Sequence, residues 1–134
     1  MEEKMKKLIS IRLASIIIIT INTIALFMHL LILLKVVPYD FVWGGRLKNE
    51  VDLIIFESIS IVVQLLFMTI VAVKAGYVFN GKFKKTVNVG TWVMFGLMAL
   101  NTMGNLASAS VLEKMVMTPI TCLLALLLFR LAIE

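Results

Sequence analysis

Long apolar runs constrain this chain more than any other feature of its sequence. The first run extends from Leu13 to Leu34 and is bounded by Arg12 and Lys35. About 20 mainly apolar residues are enough for a helix to cross the hydrocarbon core of a bilayer, and a span must be helical because lipid offers no partners to backbone groups. Four such runs occur, at 13–34, 53–73, 89–109 and 115–133. The sequence therefore predicts an all-α integral membrane four-helix bundle, with residues 1–134 forming a single domain.

The composition excludes most other classes of protein. Of the 134 residues, 61% are hydrophobic and 16% are charged, and the mean hydropathy is +1.04. A soluble domain has about 45–50% apolar and about 25% charged residues. A chain this short cannot bury so much apolar surface in its own core. A soluble enzyme, a disordered tail and a nucleic-acid-binding domain are excluded. The single cysteine, Cys122, excludes a dithiol oxidoreductase.

The basic residues predict how the chain is oriented. With four spans, both termini and the loop 74–88 share one side, and the loop 35–52 lies on the other. The first side carries nine basic residues: Lys4, Lys6, Lys7, Arg12, Lys74, Lys82, Lys84, Lys85 and Arg130. The second carries four: Lys35, Arg46, Lys48 and Lys114. Basic residues are enriched on the cytoplasmic side, so both termini are predicted to be cytoplasmic, in a bacterial-type plasma membrane. Lys82, Lys84 and Lys85 are predicted to contact anionic lipid headgroups, and no nucleic-acid partner is expected.

The polar residues inside the spans form one stripe per helix. In the first span Ser15, Asn22 and His29 are each seven residues apart, close to two helical turns. Glu57 and Gln64 repeat that spacing in the second span, and Asn101 and Asn105 share a face of the third. Counting from the span ends places three residues in the outer half of the membrane: His29, Glu57 and Asn105. Asn22, Gln64 and Asn101 lie nearer the midplane. These six residues are the candidates for a polar network or an outward-facing ligand pocket.

Glu57 is the most informative of these residues. A carboxylate within a span must be paired, wetted or protonated, and either His29 or Arg46 is a candidate partner. One interpretation is that Glu57 binds a ligand or takes part in proton coupling. The other is that Glu57 makes a structural hydrogen bond that fixes the register of the helices. No second histidine and no cysteine cluster accompanies His29. We therefore expect no metal, no cofactor and no assigned catalytic set.

The outer loop adds a second candidate feature. Tyr39 and Trp43 are four residues apart and would share one face of a short interfacial helix that ends at Gly44 and Gly45. One interpretation is a lid over the polar layer, with Trp43 above it and Arg46 reaching Glu57. The other is an aromatic belt in which Arg46 contacts lipid phosphates.

The third span contains small residues suited to close helix contact. Gly104 and Ser108 form a small-xxx-small pair, and Gly90 and Gly96 precede them. Such residues allow close packing within one chain or between two copies, so a homodimer through this helix is an alternative to internal packing.

Three functions are compatible with these features. The first is a non-catalytic binding or accessory protein with an outward-facing polar pocket for a small or lipid-like ligand or a partner helix. The second is a proton-coupled transporter centred on Glu57, and the third is an intramembrane enzyme with Glu57 and His29 as acid and base. In size and span number the chain is similar to the small multidrug resistance transporters, which are dimers around a membrane carboxylate. That carboxylate lies in the first helix of the family, where this chain has Asn22 and His29, so the resemblance assigns no residue here.

Overall fold

The computed structural model describes residues 2–36, 49–108, 111 and 113–134. Every regular element in these ranges is helical, as expected for an all-α protein. The elements are α1 (Glu2–Leu8), α2 (Ile11–Leu33), α3 (Glu50–Lys74), α4 (Lys84–Leu106), a π-helical turn (Glu113–Met117) and α5 (Thr118–Ala132).

Within the described ranges, three helical segments are long and apolar enough to cross a membrane: Ile11–Leu33, Glu50–Lys74 and Lys114–Ala132. They correspond to the first, second and fourth predicted spans. The third predicted span corresponds to α4, which has 23 residues like α2. The asparagines, threonines and glycines of α4 make it less apolar than the other three long helical segments. By composition, α4 is therefore not among the segments that are apolar enough to cross a membrane.

The helix ends are defined by local capping. The side chains of Ser10 and Asn49 accept backbone hydrogen bonds at the starts of α2 and α3, so both helices begin two or three residues before the predicted spans. At the end of α3, Gly76 has φ +86°, and a Cβ there would lie 3.1 Å from Asn80 Oδ1. A glycine suits both the left-handed backbone and this contact.

The long helices pack as antiparallel neighbours: α2 on α3, α3 on α4, α4 on α5, and α5 back on α2. Near the start of α2, Ser15 bonds Tyr77, which follows α3, at 2.8 Å between the oxygens. Near the end of α5, Arg130 Nε donates to the Ile9 carbonyl at 2.6 Å. Helix α1, the turn 75–83 and residues 130–134 thus lie together, and we call this the basic end. The opposite end holds the end of α2, the start of α3, the end of α4 and the π-helical turn.

Helix α5 contributes more residues to the apolar core than any other helix. The core residues are Ala14 and Ile18 of α2, Phe67 and Val71 of α3, Met94 of α4, and Leu124, Leu127, Leu128 and Leu131 of α5. In the apolar window of the segment that includes α5, 44% of the residues are buried, against 17% in α2 and in α3. The outward faces of α2 and α3 expose large aliphatic and aromatic side chains, as expected of surfaces that face lipid.

The glycines of α4 have different surroundings. A Cβ on Gly90 would lie 3.1 Å from Ile70 Cδ1, so this glycine lets α4 approach α3 closely. Gly96 and Gly104 have open space at the same position. Close packing within the chain thus uses Gly90, and the homodimer through α4 stays a prediction.

Candidate functional site

The inward stripes of α2 and α3 bring a histidine and a glutamate together. On α2, Ser15 and Asn22 are buried, and the His29 side chain is 22% exposed. On α3, Glu57 is completely buried. His29 Nδ1 and Glu57 Oε2 are within hydrogen-bonding distance. Of the two partners proposed for Glu57, His29 is therefore a neighbour, whereas Arg46 lies outside the described residues.

This pair can hold a proton in more than one way. His29 Nδ1–H donates to the carboxylate when the imidazole is neutral or protonated, and a protonated carboxyl group can instead donate to Nδ1. Moving the proton between the two groups leaves the net charge of the pair unchanged, whereas gain or loss of a proton changes it by one. Net charge is unfavourable inside a membrane, so a bilayer around the pair would favour the states in which it carries no net charge.

Asn22 and Gln64 lie at the next level of the same interface. The antiparallel register that pairs residue 29 with residue 57 places residue 22 level with residue 64, because both stripes repeat every seven residues. Seven residues of helix correspond to a depth of about 10 Å. Asn22 is buried, and Gln64 Oε1 is a buried acceptor without a hydrogen-bond partner. The α2–α3 interface therefore carries polar groups at two depths.

Asn105 belongs to a second polar cluster, between α4 and α5. It is 5% exposed, and its Nδ2 donates to Thr121 Oγ1 at 3.3 Å. Thr102 Oγ1 lies 3.0 Å from the same hydroxyl oxygen. Thr121 in turn donates to the carbonyl of Met117, the last residue of the π-helical turn, at 2.9 Å. The structure therefore joins Asn105 to α5, at the same end of the molecule as the His29–Glu57 pair.

Asn101 lies away from this cluster, because its side chain is exposed on α4. The inward stripe of α4 passes through Thr102 and Asn105, three residues apart, and not through Asn101 and Asn105 as their spacing predicts. Thr102 was missed because threonine is common in helices and its hydroxyl can bond its own backbone. The i, i+3 spacing from Asn105 was the available signal.

Arg130 is a buried charged residue whose position in the sequence indicates only the orientation of the chain. Its side chain is 4% exposed, and NH1 donates to Glu134 Oε2 at 2.8 Å in addition to the bond from Nε to Ile9. The guanidinium joins α5 to the segment before α2. Its role here is to fix the basic end, where its charge is paired.

The proposed lid residues, Tyr39, Trp43 and Arg46, lie outside the described residues, so the lid stays a prediction. Within the described ranges, no three His, Cys, Asp or Glu side chains are close enough to hold a metal ion. No protein-family model, curated protein or solved structure matches the chain.

Proposed function

We propose that this chain is an integral membrane protein with four spans in a single bundle. Three helices have the length and composition for crossing, and α4 packs antiparallel to both α3 and α5. If α3 and α5 cross the bilayer, α4 crosses with them, and two of its polar residues, Thr91 and Asn105, are buried against its neighbours. The excess of lysine and arginine at the basic end supports a cytoplasmic location for that end.

Orientation is tested by cysteine labelling in a Cys122→Ser background. Lys85→Cys reports on the basic end and Lys48→Cys on the predicted outer loop. A membrane-impermeant maleimide added to whole cells should label position 48, and position 85 only after the membrane is opened. Labelling of position 85 in intact cells, with position 48 protected, would reverse the orientation.

The function that we propose is binding, with the His29–Glu57 pair as the polar part of the site. The observation that carries this proposal is a completely buried glutamate in contact with a partly exposed histidine inside an apolar helix pair. Ionisable groups at such depth are unfavourable for insertion and commonly mark functional positions in membrane proteins. The chemistry suits a small or lipid-like molecule, or a partner helix, that presents a hydrogen-bond donor or a positive charge to Glu57.

The binding proposal is tested by native mass spectrometry on protein extracted with its surrounding lipid in polymer nanodiscs. We expect wild-type protein to retain a small molecule that Glu57→Gln loses. Glu50→Gln is the matched control, because Glu50 is an exposed carboxylate of the same helix, paired with Lys35. Equal recovery of the molecule from both variants, or its absence from wild-type protein, would remove the support for a binding site at Glu57.

Proton-coupled transport is the second candidate, favoured by the polar groups at Asn22 and Gln64. The polar side chains of Asn22 and Gln64 lie one level deeper than His29 and Glu57 at the α2–α3 interface. A proton path requires such a series of polar groups. In proteoliposomes with an internal pH-sensitive dye, a transporter should carry protons down an imposed gradient, and Glu57→Gln should abolish this. If wild-type protein moves no protons and Glu57→Gln only lowers the unfolding temperature, the pair is structural.

A further inference from the structure

A polar cavity at the basic end is separate from the His29–Glu57 pair. Its volume is about 360 Å³, and it lies between the end of α3, the turn 75–83, the start of α4 and the end of α5. Its polar lining consists of three lysines, two asparagines and one glutamate: Lys74, Lys82, Lys84, Asn80, Asn88 and Glu134. Positive charge is therefore in excess in the cavity, which favours an anion.

The single carboxylate among these lining residues already has a cationic partner. Glu134 accepts from the buried guanidinium of Arg130 at 2.8 Å, so the charge that opposes the three lysines is also shared with Arg130. Lys74 Nζ donates to Asn88 Oδ1, which ties the end of α3 to the first turns of α4. The cavity thus presents ammonium groups from two helices and the turn between them.

The turn around the cavity has features of a segment in the headgroup layer. Tyr77, Val78, Phe79 and Phe83 are all exposed beside the lysines, and exposed aromatic and basic residues together are typical of the membrane–water interface. Phe79 and Phe83 have left-handed backbones, with φ 47° and 56°. This conformation is unfavourable for a bulky residue, and insertion of both rings into the interface would compensate for it.

We propose that this cavity binds the phosphate of an anionic phospholipid headgroup. Lys74, Lys82 and Lys84 supply charge-assisted donors, and the asparagine amides supply neutral ones. The N-cap residue of α4, Phe83, makes no side-chain cap, and the positive end of the helix dipole at this terminus also favours an anion nearby. Two lysines distinguish a site in this cavity from a general basic surface. Lys74 lines the cavity and should contact the phosphate, whereas Lys85 does not line it and should not.

The neighbouring lysines Lys84 and Lys85 provide the test, because only the first lines the cavity. The dissociation constant of a short-chain phosphatidylglycerol is measured from the rise in unfolding temperature of the full chain in neutral detergent. Lys84→Gln should weaken binding about five-fold, the effect expected of one lysine near an anionic lipid, and Lys82→Gln should act similarly. Lys85→Gln should leave the dissociation constant nearly unchanged. Glu134→Gln should tighten binding, because it removes the opposing charge while keeping an acceptor for Arg130.

Two further titrations separate the sources of the phosphate. Short-chain phosphatidylcholine, which has no net charge, should stabilise the protein much less than phosphatidylglycerol, and inorganic phosphate alone should not reproduce the effect. If inorganic phosphate matches phosphatidylglycerol, the ligand is a soluble phosphate and the lipid assignment is wrong. If Lys84→Gln and Lys85→Gln weaken binding equally, the lysines act as a diffuse basic surface and the cavity site is wrong. Either outcome leaves the His29–Glu57 proposal unaffected.

Discussion

Replacement of Thr121 by valine should weaken the contact between α4 and α5. The Thr121 hydroxyl is the acceptor for Asn105 Nδ2 at 3.3 Å and lies 3.0 Å from Thr102 Oγ1. Valine keeps the shape of the side chain and removes the hydroxyl. The two donors on α4 then lose their shared acceptor on α5, in a region where Asn105 is buried.

The size of the effect depends on which groups find another partner. Thr102 can bond the Met98 carbonyl of its own helix at 2.9 Å, so its hydroxyl remains satisfied. Asn105 loses the acceptor that joins it to α5, and the Met117 carbonyl loses the donor that it has in Thr121. Interhelical hydrogen bonds in membrane proteins contribute about 0.6 kcal/mol on average and at most about 1.7. We therefore expect Thr121→Val to lower the free energy of unfolding by about 1–2 kcal/mol.

The assay is equilibrium unfolding in mixed micelles, in a Trp43→Phe background. The remaining tryptophan, Trp92 of α4, packs edge-on against Phe129 of α5 with ring centroids 5.9 Å apart, so its fluorescence reports on the same interface. Thr69→Val is the matched control, because that exposed hydroxyl bonds only the Leu65 carbonyl of its own helix in the structure. Its expected effect is within about 0.5 kcal/mol.

A double-mutant cycle with Asn105→Ala completes the test. If the hydrogen bond contributes to stability, Asn105→Ala should destabilise the wild-type protein more than it destabilises the Thr121→Val variant. Equal effects in the two backgrounds, or a Thr121→Val effect no larger than that of Thr69→Val, would refute the reasoning.

Three further substitutions, with Gly96→Leu as a control for the first, test other contacts by the same unfolding assay. Gly90→Leu should lower the free energy of unfolding by about 1–3 kcal/mol, because the side chain overlaps Ile70, whereas Gly96→Leu enters open space and should change it little; equal effects would contradict the close approach of α3 and α4. Tyr77→Phe should lower it by about 0.5–1.5 kcal/mol through loss of the bond to α2, and no change would mean that this bond is not maintained. Arg130→Met should lower it by about 1–3 kcal/mol and speed proteolysis near α1, because the partly buried Ile9 carbonyl loses its donor. Unchanged proteolysis would contradict the assigned link.

The seven-residue spacing of polar groups carried much of the information about the site. His29 and Glu57 could be assigned to facing stripes because an isolated polar residue in an apolar helix is expected to turn inward. Their similar distances from the span ends predicted a similar depth. The structure brings the two side chains into contact. Which of the two roles Glu57 has, functional or structural, does not follow from spacing, because both place the carboxylate inside.

The cluster around Thr121 was harder to predict from the sequence. A shift of 100° on a helix separates Asn101 from Thr102, and both are polar, so spacing from Asn105 allowed either one to face inward. The packing of α5 against α4 determines that Thr102, and not Asn101, faces inward, and a single sequence does not reveal this packing. Arg130 was ambiguous for a related reason: near the end of a span, an arginine can extend into the headgroups or turn inward toward a carbonyl.

The His29–Glu57 contact also bears on the order in which the chain enters the membrane. Both residues belong to the first two long helices, whereas four of the nine core residues belong to α5, which is translated last. If the chain inserts into a membrane as proposed, α2 and α3 enter lipid before the core residues of α5 exist. A hairpin that already pairs its imidazole with its carboxylate exposes less polarity to the bilayer during that interval. The contact that forms the candidate site would thus also stabilise the α2–α3 hairpin before α4 and α5 have been synthesised.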